Sequence, residues 1–414
     1  MNNSKIFWSN YNEISYDRFL SDLVSSGDNN IFIKNSNPYK VFLNLIRNVI
    51  NNKDSTILDA DFSITELENL NLSKRIITDG KYFQPDLSSK FKTFEDILYF
   101  LNLNKSKINF TLYTSGTTGR PKSIIQSLAN TIKGVRVANK FKDDIWGFAY
   151  NPTHFAGLQV FFQALFNKNT IVYIFGKDFS EIVDLMCKKS INSLSSTPSF
   201  IKMLLPNFTN PLLSLKRLSF GGERFDDSVL DNIKIVFPNA VVKNVYASTE
   251  SGSILISNGK YFQIPDKFAE LVKIENDELL IHSSLMGKSE SLELKGGWYF
   301  SGDLVTMIDS KSFVFQSRKS EMINVGGYKV NPSEIESLIN DIEGVSDVRV
   351  YGRKNSILGN IIAADIIKNN NISEAQLKRQ ITNKCKNLLQ EFKIPRIIKI
   401  VDSFEMTRTG KIKR

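Results

Sequence analysis

The sequence predicts an α/β fold: a large N-terminal domain with doubly wound, mostly parallel sheets and a β-rich annex, then a small, mobile α+β domain at the C-terminus. Three observations predict it. From Lys107 to Tyr246, short apolar runs alternate with amphipathic stretches at the spacing of right-handed βα units. After Ser251 the texture turns to brief β-rich segments punctuated by Gly turns. Beyond Arg318 it changes again, to a strand and helix mixture of about a hundred residues, enough for a domain of its own. The boundary is therefore drawn there, giving domains 1–318 and 319–414.

Residues 1–107 are rich in Asn, Lys, Ile and Phe and weakly periodic, so only a helix over Tyr39–Ile50 is readable. Next come a buried strand over Ile108–Tyr113, a Thr/Ser/Gly loop and a helix near Ser127–Lys140. The alternation continues with strand Asp144–Tyr150, helix Leu158–Phe166, strand Thr170–Phe175, helix Ser180–Ser190 and strand Ser193–Ser196. Helix Ser199–Leu205, strand Arg217–Phe220, helix Asp227–Val236 and strand Ala240–Tyr246 complete it. In the annex, Leu279–Ser283 reads as a strand, and Gly296–Gly297 as a turn before Trp298. In the last domain Asn331, Pro332 and Glu334 mark a helix start: a cap, a proline at the first helical position and an acid three residues after the cap. Strands Val345–Tyr351, Ile361–Ile367 and Ile397–Val401 and helix Glu374–Leu389 fill the rest.

Composition narrows the function. The chain has 414 residues, 42% of them hydrophobic and 23% charged, which excludes a disordered or fibrous protein. The N-terminus lacks the layout of a signal peptide, and no apolar run approaches the roughly eighteen residues of a membrane span. Two cysteines about two hundred positions apart, without metal spacing, fit a reducing compartment, so a cytoplasmic location is expected. With His154 and His282 the only histidines, zinc hydrolase chemistry and most Cys/His pairs lack the side chains they need.

The sharpest motif is Tyr113-Thr114-Ser115-Gly116-Thr117-Thr118-Gly119-Arg120-Pro121-Lys122. A Gly/Ser/Thr loop after a buried strand offers N–H groups and hydroxyls to phosphate oxygens, and Lys122 adds a positive charge. Arg120 and Pro121 separate Gly119 from Lys122, so this is not a Walker loop. The plain alternative is a surface turn. A second cluster, Tyr246-Ala247-Ser248-Thr249-Glu250, follows a predicted strand and lies at the carboxyl edge, where open α/β sheets bind ligands. There Tyr246 can stack on a base, Thr249 reach a phosphate and Glu250 hold Mg²⁺; taken alone it is a strand-end turn. Asp303 after Gly302 can accept both hydroxyls of a ribose, and Arg318 can help hold that sugar or form a structural ion pair. Lys411 alone reads as a solvated tail lysine.

In order and spacing these segments resemble the adenylate-forming superfamily of acyl-CoA synthetases, luciferases and non-ribosomal adenylation domains. The resemblance runs from about Thr111 to Lys413, through YTSGTTGRPK, His154 with Gly157-Leu158, Phe220-Gly221-Gly222-Glu223, YASTE, WYFSGD, SRKSEMINVGGYKVNPSEIE and TRTGKIK. It implies ATP-dependent activation of a small carboxylic acid as an acyl-adenylate, release of pyrophosphate, and transfer to a pantetheine thiol. Thr114, Ser115, Gly116, Thr117, Thr118, Gly119 and Lys122 would hold the β- and γ-phosphates. Gly221, Gly222 and Glu223 would line the adenine, Tyr246 stack on it, Thr249 meet the α-phosphate and Glu250 ligate Mg²⁺. Asp303 and Arg318 would hold the ribose, and Lys411 would enter from the small domain to bridge the carboxylate and the developing charge. The small domain would then swing about Ser320 and present Gly326, Gly327 and Tyr328 along a tunnel for the thiol. Ser320 stands where the family usually has Asp or Lys, Ala247 replaces a common Gly, and Ser301 a common Thr.

In amino-acid-activating relatives an Asp follows the His or aromatic anchor; here Phe155 and Ala156 follow His154, which disfavours an α-amino acid. His154 is read as gating or lining the pocket. Phe155, Leu158, Phe220 and Ala247, with Gly157 and Ser248 beside them, predict an apolar pocket suited to an aromatic or medium aliphatic acid. The phosphate loop starts early for the family, so residues 1–107 would be a reduced first subdomain, as in compact relatives such as the o-succinylbenzoate–CoA ligases. The acceptor is CoA or, alternatively, the phosphopantetheine of an acyl carrier protein. A non-catalytic nucleotide-binding protein is the alternative of another class; no basic-aromatic pattern points to nucleic acid. The net charge of +10 is concentrated late: residues 318–414 hold 18 basic against 11 acidic residues, suiting polyanionic partners such as CoA or an acidic carrier helix.

Overall fold

The computed structural model describes residues 5–405 apart from 11, 115–121, 224–228, 258, 291, 310–311, 356–357 and 370–371. The chain forms two compact units, Met1–Leu271 with Ile281–Tyr299, and Val272–Leu280 with Phe300–Arg414. Arg318, where the sequence places a boundary, lies inside the second.

In the first unit, the predicted alternation builds an eight-stranded sheet. Its strands run in the order Gly252–Ser257, Val241–Ser248, Arg217–Gly221, Ser193–Ser196, Ile145–Phe148, Thr170–Tyr173, Ile6–Ser9 and Glu13–Ser15. Neighbours pair in parallel except at the two edges, where antiparallel strands close the sheet. A second sheet sets Phe32–Lys34, Ser55–Leu58 and Asn109–Thr114 in parallel and adds Lys122–Ser127 antiparallel. An aromatic core joins the two sheets: Phe42 on helix Pro38–Ile50 stacks on Phe161 of helix Phe155–Phe166 at 4.0 Å, among Phe7, Phe110 and Phe148. Helix starts follow the sequence signals, with Asn37 before Pro38 and Thr197 before Pro198 each capping by a side-chain acceptor.

Residues 1–107 hold far more than the one helix read from sequence, including helices Tyr16–Val24 and Phe94–Asn104 and the last two strands at one edge of the large sheet, Ile6–Ser9 and Glu13–Ser15. Strands of three or four residues carry too little periodicity to be seen alone. The expected helix over Ser127–Lys140 is also corrected. The chain returns from the phosphate loop as strand Lys122–Ser127, and the helix is only Leu128–Thr131. Ile124 and Gln126 are buried while Ser123 and Ile125 are exposed, a period of two that hydrogen bonding to Asn109–Thr114 locks in place.

In the second unit, strands Trp298–Met307 and Ser312–Arg318 form an antiparallel hairpin. Hairpin Ile323–Val325 with Tyr328–Val330 follows, then helix Pro332–Asn340 capped by Asn331. A three-stranded sheet of Val345–Asn355, Gly359–Lys368 and Ile397–Ile400 packs with helix Glu374–Leu388 around Val350, Ile335, Leu377 and Ile381. Among the described residues no helix is long and apolar enough to cross a membrane.

Candidate active site

The loop Ser115–Pro121 lies outside the described residues, but its two ends do not: Thr114 and Lys122 face each other at the open end of the hairpin, with Lys122 exposed. Across from them the strand Val241–Ser248 carries Tyr246, Ala247 and Ser248, and Thr249 and Glu250 form the turn before Gly252–Ser257. The strand runs two residues farther than predicted. Its register slips between Tyr246 and Ala247, a bulge of the kind that re-aims side chains beside a site. The Ser248 hydroxyl accepts from the Ser251 N–H at 3.1 Å, and Gly252 takes φ +73°, so the turn is tight.

One buried amide joins the two motifs. Gln126, on the returning strand of the phosphate hairpin, donates from Nε2 to the carbonyls of Thr249 at 2.6 Å and Glu250 at 2.9 Å. The Gly287 N–H donates to the same Glu250 carbonyl at 2.6 Å. A Cβ at Gly287 would stand 2.5 Å from Gln126 Nε2, so only glycine fits there.

Gly221 ends its strand and Gly222 follows at φ +82°. The Glu223 carboxylate accepts from the Ser199 N–H at 3.0 Å, at the start of helix Pro198–Leu204, where a negative charge is favoured. Beside them the Tyr150 phenol is buried; burial pushes its pKa up, a hydrogen bond with Ser195 opposes this and the Glu223 charge adds to it, so the hydroxyl stays protonated.

His154 precedes helix Phe155–Phe166 and does not act as a side-chain cap. Its Nε2 lies 3.0 and 3.1 Å from the two oxygens of Asp59, which follows strand Ser55–Leu58 of the other sheet. Thr153 Oγ1 donates to Asp59 as well, and Asn151 Nδ2 does so at 3.3 Å. A carboxylate therefore does stand beside the anchor, supplied by Asp59 rather than by the residues after His154, and it is engaged by His154, Thr153 and Asn151. Gly157 is required, since a Cβ would come within 2.3 Å of the Asn151 carbonyl. Phe155 is buried with its ring tip 3.6 Å from a Cβ placed on Gly252. Leu158 and Phe220 are wholly enclosed in two different hydrophobic cores and back the wall rather than face it.

In the second unit, Asp303 is buried and lies directly across the hairpin from Arg318. Arg318 donates from Nε to Asp303 Oδ1 at 2.6 Å and from Nη2 to Oδ2 at 3.5 Å. The structural ion pair is therefore present, and the carboxylate keeps acceptor capacity beyond one guanidinium. Gly302 and Asp303 sit inside a ten-residue strand, not in a free turn. Ser301 does what a Thr would: its hydroxyl donates to the Leu279 carbonyl at 2.7 Å and accepts from the Asp303 N–H at 3.0 Å. Glu278 accepts from the Gly302 N–H at 2.8 Å and from Lys319 at 2.5 Å. Ser320 is exposed in the short 3₁₀ turn Lys319–Glu321. Gly326 and Gly327, at φ +57° and +92°, make the two-residue turn of the next hairpin, and Tyr328 stacks on Phe392 at 4.4 Å. Lys411 lies outside the described residues.

Residues 56–273 match the family model of AMP-binding enzymes, and residues 334–411 that of the AMP-binding enzyme C-terminal domain. The first match alone covers more than half of the chain. The chain belongs to the AMP-binding enzyme family. It is an enzyme of the AMP-binding type. The 2-succinylbenzoate–CoA ligase of Listeria monocytogenes serotype 4b (strain F2365) is 26% identical over 335 residues, 75% of this chain and 69% of that one. The same-named ligase of Staphylococcus aureus (strain Newman) is 23% identical over 387 residues, 85% and 77% of the two chains. Among solved structures, o-succinylbenzoate CoA synthetase (MenE) from Bacillus subtilis, in complex with its acyl-adenylate intermediate, has a TM-score of 0.70 at 17% identity and covers 100% of this chain and 95% of its own. ATP-bound MatB from Rhodopseudomonas palustris has 0.71 at 18%, with the same coverage. At these identities the two structures speak for the fold.

AMP-binding chemistry calls for a divalent ion, and among the described residues no group of three or more His, Cys, Asp or Glu could hold one. For Mg²⁺ this is no misfit, because that ion keeps its waters and takes phosphate oxygens, needing only one or two carboxylates. Glu250 suits such an ion, since its carbonyl is fixed twice while its half-buried carboxylate makes no hydrogen bond or ion pair with the described residues. Three residues were missed from sequence. Gln126 had a signal, a polar side chain on the buried face of an alternating strand. Asp59 had one too, an acid just past the carboxyl end of an apolar run. Gly287 had none, because its neighbour is 161 positions away in sequence.

Proposed function

We propose that this chain is an AMP-forming acyl-CoA synthetase of the cytoplasm, joining an aromatic or medium aliphatic acid to the pantetheine thiol of CoA. The observation that carries the reading is the Gln126 amide. It ties the strand returning from the phosphate loop to the turn bearing Thr249 and Glu250, so phosphate-binding and metal-binding groups share one rigid frame.

In this reading the Thr114–Lys122 segment takes the β- and γ-phosphates and the leaving pyrophosphate, Thr249 meets the α-phosphate, and Gly221, Gly222, Glu223 and Tyr246 hold the base. Mg²⁺ bound at Glu250 would neutralise phosphate charge and steady the leaving group. Asp303, oriented by Arg318, accepts the ribose hydroxyls. Lys411, on the C-terminal domain that begins after Arg318, meets the substrate carboxylate as it attacks the α-phosphorus in line. Phe155, Ala247 and Ser248 face the acyl group, with His154 fixed by Asp59. The domain then turns at Ser320, withdrawing Lys411 and bringing Gly326, Gly327 and Tyr328 to the thiol path.

The test is pyrophosphate exchange into ATP with a panel of acids, with 2-succinylbenzoate first because it is named for the relatives above. Exchange with one acid class supports the reading; none with any acid, despite bound ATP, removes it. Thioester formation measured side by side with CoA and a holo-carrier protein then fixes the acceptor.

A further inference from the structure

The Gln126 side chain is fully buried, so both ends of its amide must find partners inside the protein. The carbonyls of Thr249 and Glu250 can only accept, which makes the end that faces them, at 2.6 and 2.9 Å, the NH₂ group. Oε1 is thereby turned the other way and needs a donor. Asn130 supplies it, with Nδ2 at 2.5 Å from Gln126 Oε1. The same reasoning orients Asn130, since an oxygen in that place would repel Oε1.

The local sequence puts Asn130 there. Strand Lys122–Ser127 ends in a serine whose hydroxyl accepts from the Asn130 N–H at 3.1 Å and caps helix Leu128–Thr131. Helical side chains lean towards the N-terminus, so residue 130 reaches back to residue 126. On its other side Asn130 packs on Gly252, whose added Cβ would lie 3.5 Å from the Asn130 carbonyl oxygen and 3.6 Å from its Oδ1. Gly252 opens the strand after Glu250. The turn that carries Thr249 and Glu250 is therefore met at its start through Gln126 and at its end by Asn130 directly.

We propose that Asn130 is a positioning residue for adenylation: it holds the Gln126 amide in the one orientation that fixes the Thr249 and Glu250 backbone, and so sets how tightly Glu250 holds magnesium. The inference rests on the reading of Thr249 and Glu250 as α-phosphate and metal ligands. Leucine at position 130 would leave Oε1 buried without a donor, and aspartate would set oxygen against oxygen.

The experiment is pyrophosphate exchange by the full-length protein across a magnesium titration, with the acid that supports exchange in the wild type. Asn130→Leu should raise the magnesium concentration for half-maximal exchange, and the KM for ATP, by about ten- to a hundredfold, the usual worth of a group that orients a metal ligand, and leave the KM for the acid unchanged. Thioester formation from supplied acyl-adenylate, a step without magnesium or pyrophosphate, should be spared, which also shows that the variant is folded. Asn130→Asp should weaken magnesium as well, although its added negative charge acting alone would attract the ion. In the Gln126→Leu background Asn130→Leu should add almost nothing, since both act on one contact. Ser127→Ala, which loosens only the cap, should show the same pattern more weakly, and it decides alone where the variants at position 130 are too unstable to assay. Unchanged magnesium dependence, full additivity with Gln126→Leu, or equal loss in both half-reactions overturns the proposal. Glu250→Gln tells the two levels apart. If it leaves the magnesium dependence unaltered, the metal-site reading falls and the proposal with it; if it shifts the dependence and Asn130→Leu does not, only the role of Asn130 falls.

Discussion

Two hairpins carry the residues assigned to the nucleotide, and they are fastened in opposite ways. Asn109–Ser127, with the phosphate loop at its tip, is held by a neutral amide: Gln126 inside the protein, bonded to two backbone carbonyls and hemmed in by Gly287. Trp298–Arg318, with the ribose acid on it, is held by charge. Asp303 and Glu278 are buried carboxylates whose cations, Arg318 and Lys319, are about half exposed. The neutral clamp fixes backbone position and is indifferent to salt. The charged one sets buried carboxylates against partly exposed cations and yields somewhat to ionic strength.

The largest expected effect separates position from chemistry on the first hairpin's side. Glu250→Gln should reduce adenylate formation about 10²- to 10³-fold, the usual loss when a preorganised charge is removed at the phosphates, and leave Tm unchanged. Exchange rates across a magnesium titration check it, and a large fall in Tm would mean that the carboxylate has a structural partner. Lys411→Ala should cost adenylation a similar factor while sparing thioester formation from supplied acyl-adenylate; equal loss in both steps would contradict the domain swing.

Asp303→Asn comes next. It should raise KM for ATP by about ten- to a hundredfold and destabilise the fold by about 1–3 kcal/mol, less than a fully buried pair because Arg318 reaches water. Arg318→Met should be milder in KM, and added salt should shrink the difference between wild type and variant. Gln126→Leu should leave two carbonyls unpartnered, costing about 1–3 kcal/mol in Tm-derived stability and roughly tenfold in exchange rate, independent of salt. Gly287→Ala should do much the same, and the double variant should fall well short of additivity, because both act on one contact. A salt-sensitive Gln126→Leu would erase the contrast between the two hairpins. Smallest is Asp59→Asn, which keeps the size but not the charge beside His154. A few-fold loss with altered pH dependence is expected, read from exchange rates over a pH series.

The contrast also explains what was legible in the sequence. From Ile145 to Val241 the strands and helices each bury a full stripe, and periodicity alone located them within a few residues. The glycines and acids proposed for the site were legible because binding phosphate, ribose and magnesium favours those residue types. What stayed hidden depends on partners distant in the chain. The stretch read as loop before Ser127 is a strand because Asn109–Thr114 is there to pair with it, and of the helix expected over Ser127–Lys140 only Leu128–Thr131 forms. The alternating pattern can put Gln126 on a buried face, but its partners appear only when Thr249 and Glu250, 123 and 124 positions away, are placed against it. Asp59 follows a strand while His154, 95 positions on, precedes a helix. The short strands before residue 35 form only by pairing with segments distant in the chain, as Ile6–Ser9 does with Thr170–Tyr173.

Product stoichiometry tests the central claim most directly. With ATP, magnesium, CoA and the acid selected from the panel, chromatographic analysis of one reaction should give AMP, pyrophosphate and acyl-CoA in equal amounts, with acyl-adenylate accumulating when CoA is withheld. ADP and inorganic phosphate in place of AMP and pyrophosphate, or nucleotide turnover without acid, would contradict it.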